Sequence, residues 1–216
     1  KNRFHNLNLL FKILIASIFI NFSIIYLFKS YSLISNFIII SAIFLIISSL
    51  IDLYKLFKKQ KMDLARVISH LAFGFLILFI GLNYNFSLEK DFNLKLGEKK
   101  NFENYSLEFK DLRLEDLKNY KAVIGEFKIN NSQENLHQSL YPEIRIYENP
   151  STITYEASIR SGLLKDYYIT MSNIDRSDYY NIKFQKKPFM MWIWISVIFI
   201  SLGGFLRFFK NAKKDY

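Results

Sequence analysis

Four apolar runs, each long enough to cross a bilayer, constrain what this chain can fold into. A membrane-spanning helix needs about 20 mostly apolar residues. Such runs cover about residues 9–28, 31–51, 67–86 and 188–208. Only Lys12 interrupts the first; residues 30–51, 67–88 and 189–206 carry no charge at all. Backbone N–H and C=O groups at membrane depth have no water to bond, so each run is expected to close its own hydrogen bonds as a helix. Three spans therefore occupy residues 1–88. A charged stretch, residues 89–187, separates them from the fourth span, and a basic tail follows at 209–216.

The flanking charges give the direction. Short loops rich in Lys and Arg stay on the cytoplasmic side. Lys55, Lys58, Lys59 and Lys61 lie between the second and third runs, with Arg66 at the start of the third. Arg207, Lys210, Lys213 and Lys214 follow the fourth, and Lys1 and Arg3 precede the first. Lys29 alone marks the link between the first two. Placing both termini in the cytoplasm puts every basic cluster there and residues 89–187 outside. That outer segment holds 16 basic and 16 acidic side chains, whereas the rest of the chain holds 13 basic against three acidic. The whole net charge of +10 thus lies beside the membrane. The soluble part has no basic excess to attract nucleic acid, so a nucleic-acid partner is not expected. Trp192 and Trp194, just after Lys186, Lys187 and Pro188, suit the headgroup level as interfacial anchors. Gly203 and Gly204 allow close contact with another helix.

Residues 89–187 read as an all-β domain. Apolar and polar residues alternate at 92–96, 105–109, 122–129 and 144–147. Further strand-like runs cover 152–159, 167–171 and 179–184, with turn formers such as Gly97, Asn130-Asn131, Asn149-Pro150 and Gly162 between them. About seven short strands predict a small sandwich or a partly open barrel. Residues 112–117 are expected to form a helical turn. No nucleophile elbow and no glycine-rich phosphate loop occurs. The chain has no cysteine, which removes thiolate chemistry and disulfides. Its outer segment has one histidine, His137, too few for a histidine metal site.

The third run holds a more specific feature. His70 lies about one turn inside it, and Arg66, four residues earlier, shares its helical face. An ionisable side chain at membrane depth is costly and points first to function. Neutral imidazole ligates haem iron, and an arginine one turn away suits a carboxylate such as a haem propionate. A lone histidine in a span also serves simply to bond a neighbouring helix, and Arg66 also serves as a topology anchor. Both readings stand at this level.

Several strings resemble one family. Leu140-Tyr-Pro-Glu-Ile-Arg-Ile-Tyr147 is similar to the Leu-x-Pro-Glu-x-Arg-x-Tyr signature of the CcmF family of cytochrome c-type biogenesis proteins. Thr154-Tyr-Glu-Ala-Ser-Ile159, Asp166-Tyr-Tyr-Ile-Thr-Met171 and Asn119-Tyr-Lys-Ala122 resemble three more of its motifs. Lys187-Pro-Phe-Met-Met-Trp-Ile-Trp194 with the Gly203-Gly204 pair looks like its final span, and Ser69-His70-Leu71-Ala72 like its Ala-His-Leu-Gly. The matches cover roughly residues 62–208. They depart at Tyr155, which is inserted, and at Ala72, which replaces a glycine beside the histidine, with Gly74 half a turn on as a compensating small residue.

The resemblance implies a role in cytochrome c maturation, as part of the membrane complex that ligates haem to apocytochrome c. It implies a transmembrane haem b with His70 as one axial ligand and the second ligand from outside this chain segment. It implies a CcmH-type subunit, a CcmE-type haem chaperone and apocytochrome c as partners. Pro142, Glu143, Arg145, Tyr147 and Glu156 are its motif residues in the β domain. The family's tryptophan-rich haem-handling motif is not in this sequence, so the chain is expected to be a catalytically incomplete fragment or a split subunit. The expected site is the bacterial cytoplasmic membrane, or the mitochondrial inner membrane for an organelle-encoded chain, with the β domain on the periplasmic or intermembrane side. Two alternatives are a ResB-like assembly factor and a membrane-anchored binding subunit without haem.

Overall fold

The computed structural model describes residues 2–28, 32–58, 63–131, 133, 136–173 and 177–212. Lys1, Lys29, Lys59, Lys61, Lys213 and Lys214, counted above as flanking charges, lie outside these residues. The chain divides into two compact units, one of residues 1–86 with 188–216 and the other of residues 87–187.

The first unit holds α1 (Asn2–Phe28), α2 (Leu33–Phe57), α3 (Leu64–Phe86) and α4 (Met190–Ala212). Each contains a stretch long and apolar enough to span a bilayer: Leu7–Tyr26, Leu33–Phe57, Leu64–Phe86 and Met190–Phe209. The helices run past their apolar runs into polar flanks, because the intrahelical ladder costs nothing to continue where water and headgroups begin. Ser32 caps α2, its side chain accepting from the Ser35 N–H. Small residues decide the packing. A side chain at Gly74 would strike Ile46 of α2, and one at Gly81 would press on Ile38 and Ile39. The Ser35 hydroxyl donates to the Gly81 carbonyl at 3.0 Å. On its other flank α3 receives Gly203 of α4, where a side chain would strike Ser69 and the Ala65 carbonyl. Gly204, the second member of the expected pair, faces open space. Close backbone approach of this kind is how helices associate where no hydrophobic force separates them from lipid.

The second unit is a two-sheet β-structure. It comprises β1 (Leu88–Leu94), β2 (Lys99–Phe102), β3 (Tyr105–Asp116), β4 (Tyr120–Asn131), β5 (Leu136–Leu140), β6 (Glu143–Glu148), β7 (Ser151–Glu156), β8 (Ser158–Arg160), β9 (Lys165–Asn173) and β10 (Tyr180–Pro188). One sheet has the order β1-β10-β9-β8, and the other β2-β3-β4-β6-β7 with β5 beside β4. The pairs β1–β10, β2–β3, β3–β4, β4–β5, β4–β6, β6–β7 and β8–β9 are antiparallel. Alternation builds the core. Tyr105, Leu107 and Phe109 of β3, Phe127 and Ile129 of β4, Tyr167, Ile169 and Met171 of β9, and Ile182 and Phe184 of β10 sit at every second position and are buried together. Phe109 and Phe127 stack with centroids 4.4 Å apart.

Two expectations need correction. Residues 112–116 are not a helical turn. They extend β3, because a bulge between Phe109 and Asp111 resets the register and lets Leu112 through Asp116 pair with Gly125 through Lys121. The single run at 152–159 is two strands, since the chain leaves one sheet at Ala157 and enters the other.

Candidate functional site

Helix α3 is flanked by α2 and α4, and this leaves it two uncovered strips. Helical geometry places residues spaced alternately by three and four on one side. Arg66, His70, Phe73, Ile77, Ile80 and Tyr84 have that spacing. Of these, Arg66, His70, Phe73, Ile80 and Tyr84 are exposed and Ile77 is half-buried. Among the described residues no hydrogen bond to the His70 imidazole is found. Arg66 reaches across to α2, where its Nη2 lies 3.8 Å from Asp52 Oδ2. Lys55 Nζ approaches the other oxygen of Asp52 at 3.4 Å. Arg66 and His70 thus lie on one exposed strip of α3, and Asp52 of α2 adjoins Arg66.

The opposite strip of α3 forms a different feature. Ile68, Leu71, Ala72, Phe75 and Phe79 line a groove of about 370 Å³ with Trp192, Ile195, Ser196 and Phe199 of α4. The Ser196 hydroxyl donates to the Trp192 carbonyl, and the rest of the lining is almost wholly apolar. Trp192 packs against Phe79, centroids 5.8 Å apart, while Trp194 is 64% exposed. Ala72, the departure from glycine noted beside His70, faces this groove and not the histidine strip. Gly74 does not compensate, because Ile46 fills its space.

In the β unit the motif residues meet on the outer face of one sheet. Tyr120 of β4 pairs with Tyr147 of β6, and Glu143 and Arg145 of β6 pair with Glu156 and Thr154 of β7. The Tyr120 and Tyr147 rings lie 5.2 Å apart, and the Arg145 guanidinium sits 4.9 Å from the Tyr120 ring centre. Arg145 Nε donates to Glu143 at 2.8 Å. That hydrogen bond holds the guanidinium charged beyond the usual arginine range, against the opposing effect of burial. Thr154 Oγ1 donates to Glu156 at 3.1 Å. Pro142, the apolar member of the motif, is fully buried, and its carbonyl accepts from the Gly125 N–H. Glu143 and Glu156 lie opposite each other across β6 and β7, and the Arg145 and Thr154 bonds offset the cost of that like-charge cross-strand pair. His137 stands apart, bonded through Nδ1 to Asn130. No cluster of three His, Asp or Glu side chains able to hold a metal ion is found among the described residues.

Two members of the site carry weak sequence signals. Asp52 is the lone acid at the end of one apolar run and Arg66 the lone base at the start of the next; a hairpin of two spans brings them level. The Phe79–Trp192 contact had no comparable signal, because an aromatic in a span reads equally well as lipid-facing.

Residues 85–188 match a family model described as the CcmF C-terminal beta-sandwich. The cytochrome c-type biogenesis protein CcmF of Haemophilus influenzae is 30% identical over 146 residues, 67% of this chain and 22% of that protein. CcmF of Escherichia coli K12 is 26% identical over 143 residues, 66% of this chain and 22% of that protein. This chain therefore spans about a fifth of the length of the curated relatives it matches. A solved structure titled cytochrome c heme lyase CcmF superposes with a TM-score of 0.68 at 17% identity, over 93% of this chain and 34% of that one, a likeness of fold. By the matched β-sandwich and these relatives, this chain corresponds to the C-terminal region of the CcmF-type cytochrome c-type biogenesis proteins.

Proposed function

We propose that the chain serves cytochrome c maturation as part of the membrane assembly that ligates haem to apocytochrome c, and that α3 holds one side of a transmembrane haem b. The observation that carries this reading is His70, an ionisable side chain exposed on the uncovered strip of a membrane span. The residues present fit such a group. His70 offers an imidazole nitrogen to the iron. Phe73, Ile77 and Ile80 give a water-excluding apolar wall beside it. Arg66, one turn towards the helix start, suits a propionate carboxylate. The second axial ligand comes from outside this segment. When bound, haem supplies one-electron redox chemistry at its iron.

The remaining parts of the proposal follow from charge and family. The basic flanks favour cytoplasmic termini, which puts the β unit on the periplasmic side of a bacterial cytoplasmic membrane. Its outer face there is available to a CcmH-type subunit, a CcmE-type haem chaperone or apocytochrome c. Trp192 and Trp194 sit at the level where α4 enters the membrane. The ligation step belongs to the complete assembly. The ResB-like reading and the haem-free binding subunit are not favoured, because the β unit matches the CcmF model.

The test is a reduced-minus-oxidised spectrum of the complete assembly in membranes. A b-type signal lost in His70→Ala, with the polypeptide still present, is the expected result. An undiminished signal in that variant would overturn the ligand assignment.

A further inference from the structure

Asp52 has no reason to exist in the apolar pattern of α2. It follows the charge-free run 30–51, and it is two-thirds shielded, its side chain 33% exposed. Its contacts explain it better than its position does. Lys55 holds one carboxylate oxygen from the same helix, and Arg66 approaches the other from α3. Towards α1, Asp52 faces a cleft lined by Leu9, Leu10 and Ile13, which bring no charge. The placement is a continuation of the packing of the two helices. Ile39 meets Gly81, Ile46 meets Gly74, and the same antiparallel order sets Asp52 level with Arg66. At 3.8 Å the pair is longer than the roughly 2.7–2.9 Å of a hydrogen-bonded charge pair.

From this geometry we infer that Asp52 is a positioning residue, which holds Arg66 beside the His70 strip and offsets part of its charge. The inference rests on His70 being an iron ligand. Arg66 is one helical turn from His70, and charges act over longer distances where the surroundings are apolar. A positive charge there opposes the oxidised iron, which carries one more positive charge than the reduced iron, and so raises the reduction potential. Asp52 counters it and lowers the potential. The two residues should therefore move the potential in opposite senses, which two merely structural residues would not do.

The experiment is a redox titration of the b-type haem in the complete assembly, with haem content measured beside it. Asp52→Asn is expected to keep the haem and raise the midpoint potential. Arg66→Gln is expected to lower it, and Asp52→Glu to leave it at the wild-type value. A holoprotein of Asp52→Asn with an unchanged or lowered potential would overturn the inference. If that variant does not accumulate, Arg66→Gln decides, because an unchanged potential there removes the charge that Asp52 is said to hold. Absence of any b-type haem from the wild-type assembly would instead defeat the reading of His70, a distinct outcome seen before any variant is compared.

Discussion

The two units satisfy their own groups to very different degrees. The β unit encloses a core in which Leu107, Phe109, Phe127, Ile129, Ile169, Met171, Ile182 and Phe184 are wholly buried, and its charges pair within it. Arg145 holds Glu143, Lys121 holds Glu148 and Lys183 holds Glu89. The helical unit turns large apolar side chains outward, with Phe19 and Phe37 each 72% exposed. The two buried side-chain atoms without a partner among the described residues, Asn21 Oδ1 and Asn85 Nδ2, both belong to helices. His70 differs from them as a polar group on an exposed face of a helix. The difference shows where each unit obtains its stability. The sandwich is held by its own burial of apolar surface. The helices need lipid and neighbouring spans on their outer faces, and that need makes α3 a place where an outside group can be bound.

The contrast breaks most sharply at the core of the sandwich. Phe127→Ala removes a wholly buried ring that stacks on Phe109, and should destabilise the β unit by about 3–5 kcal/mol. Hydrogen exchange of the intact chain in detergent should show β3, β4 and β10 losing protection while the four helices keep theirs. Loss spread equally over both units would mean that they are not independent.

A smaller effect is expected from the helical side. Gly203→Leu forces a side chain against Ser69 and the Ala65 carbonyl of α3, overpacking of about 1–3 kcal/mol. Cross-linking between cysteines introduced on α3 and α4 should weaken, with strand protection unchanged. Gly204→Leu, which meets nothing, is the matched control.

The smallest effect is electrostatic and confined to the β unit. The Lys121 hydrogen bond lowers the Glu148 pKa, and the Lys183 hydrogen bond lowers that of Glu89. Their stabilisation is therefore complete above the ordinary carboxylate range of about 4.3 and is lost as pH falls through the lowered folded values. Lys121 and Lys183 are raised by the same partners, so their contribution is complete below about 10.4 and is lost as pH rises through the folded values. Thermal unfolding of the strands should be level between these limits and fall beyond them, by an amount that salt reduces. A steep change near pH 7 would point to a group outside these pairs.

Much of the fold is legible in the residues because its two patterns are so unlike. Charge-free runs fix the spans, and period-two alternation fixes strands such as β4 and β9. What escapes the sequence is what lacks contrast. Strand β2, Lys99–Phe102, is nearly all polar, and β5, Leu136–Leu140, alternates too weakly to stand out. The end of β3 is obscured by its bulge, which breaks the alternation before Leu112. In the candidate site, Arg66 and His70 are visible through their spacing on one helix. Asp52 depends on the register between two helices, which single-helix periodicity does not contain. The polar ladder of Glu143, Arg145, Tyr147 and Glu156 and the string Asn119–Ala122 are each visible as a motif, yet that Tyr120 meets Tyr147 is set by sheet pairing, which neither motif contains.

If His70 offers its imidazole to a haem iron, a free imidazole can take the place of its ring. His70→Gly in the complete assembly removes the side chain from an exposed strip, where added imidazole can enter. The account predicts that b-type haem is lost from this variant and recovered when imidazole is supplied, with His137→Gly behaving as wild type throughout. Full haem content in His70→Gly without imidazole would contradict it.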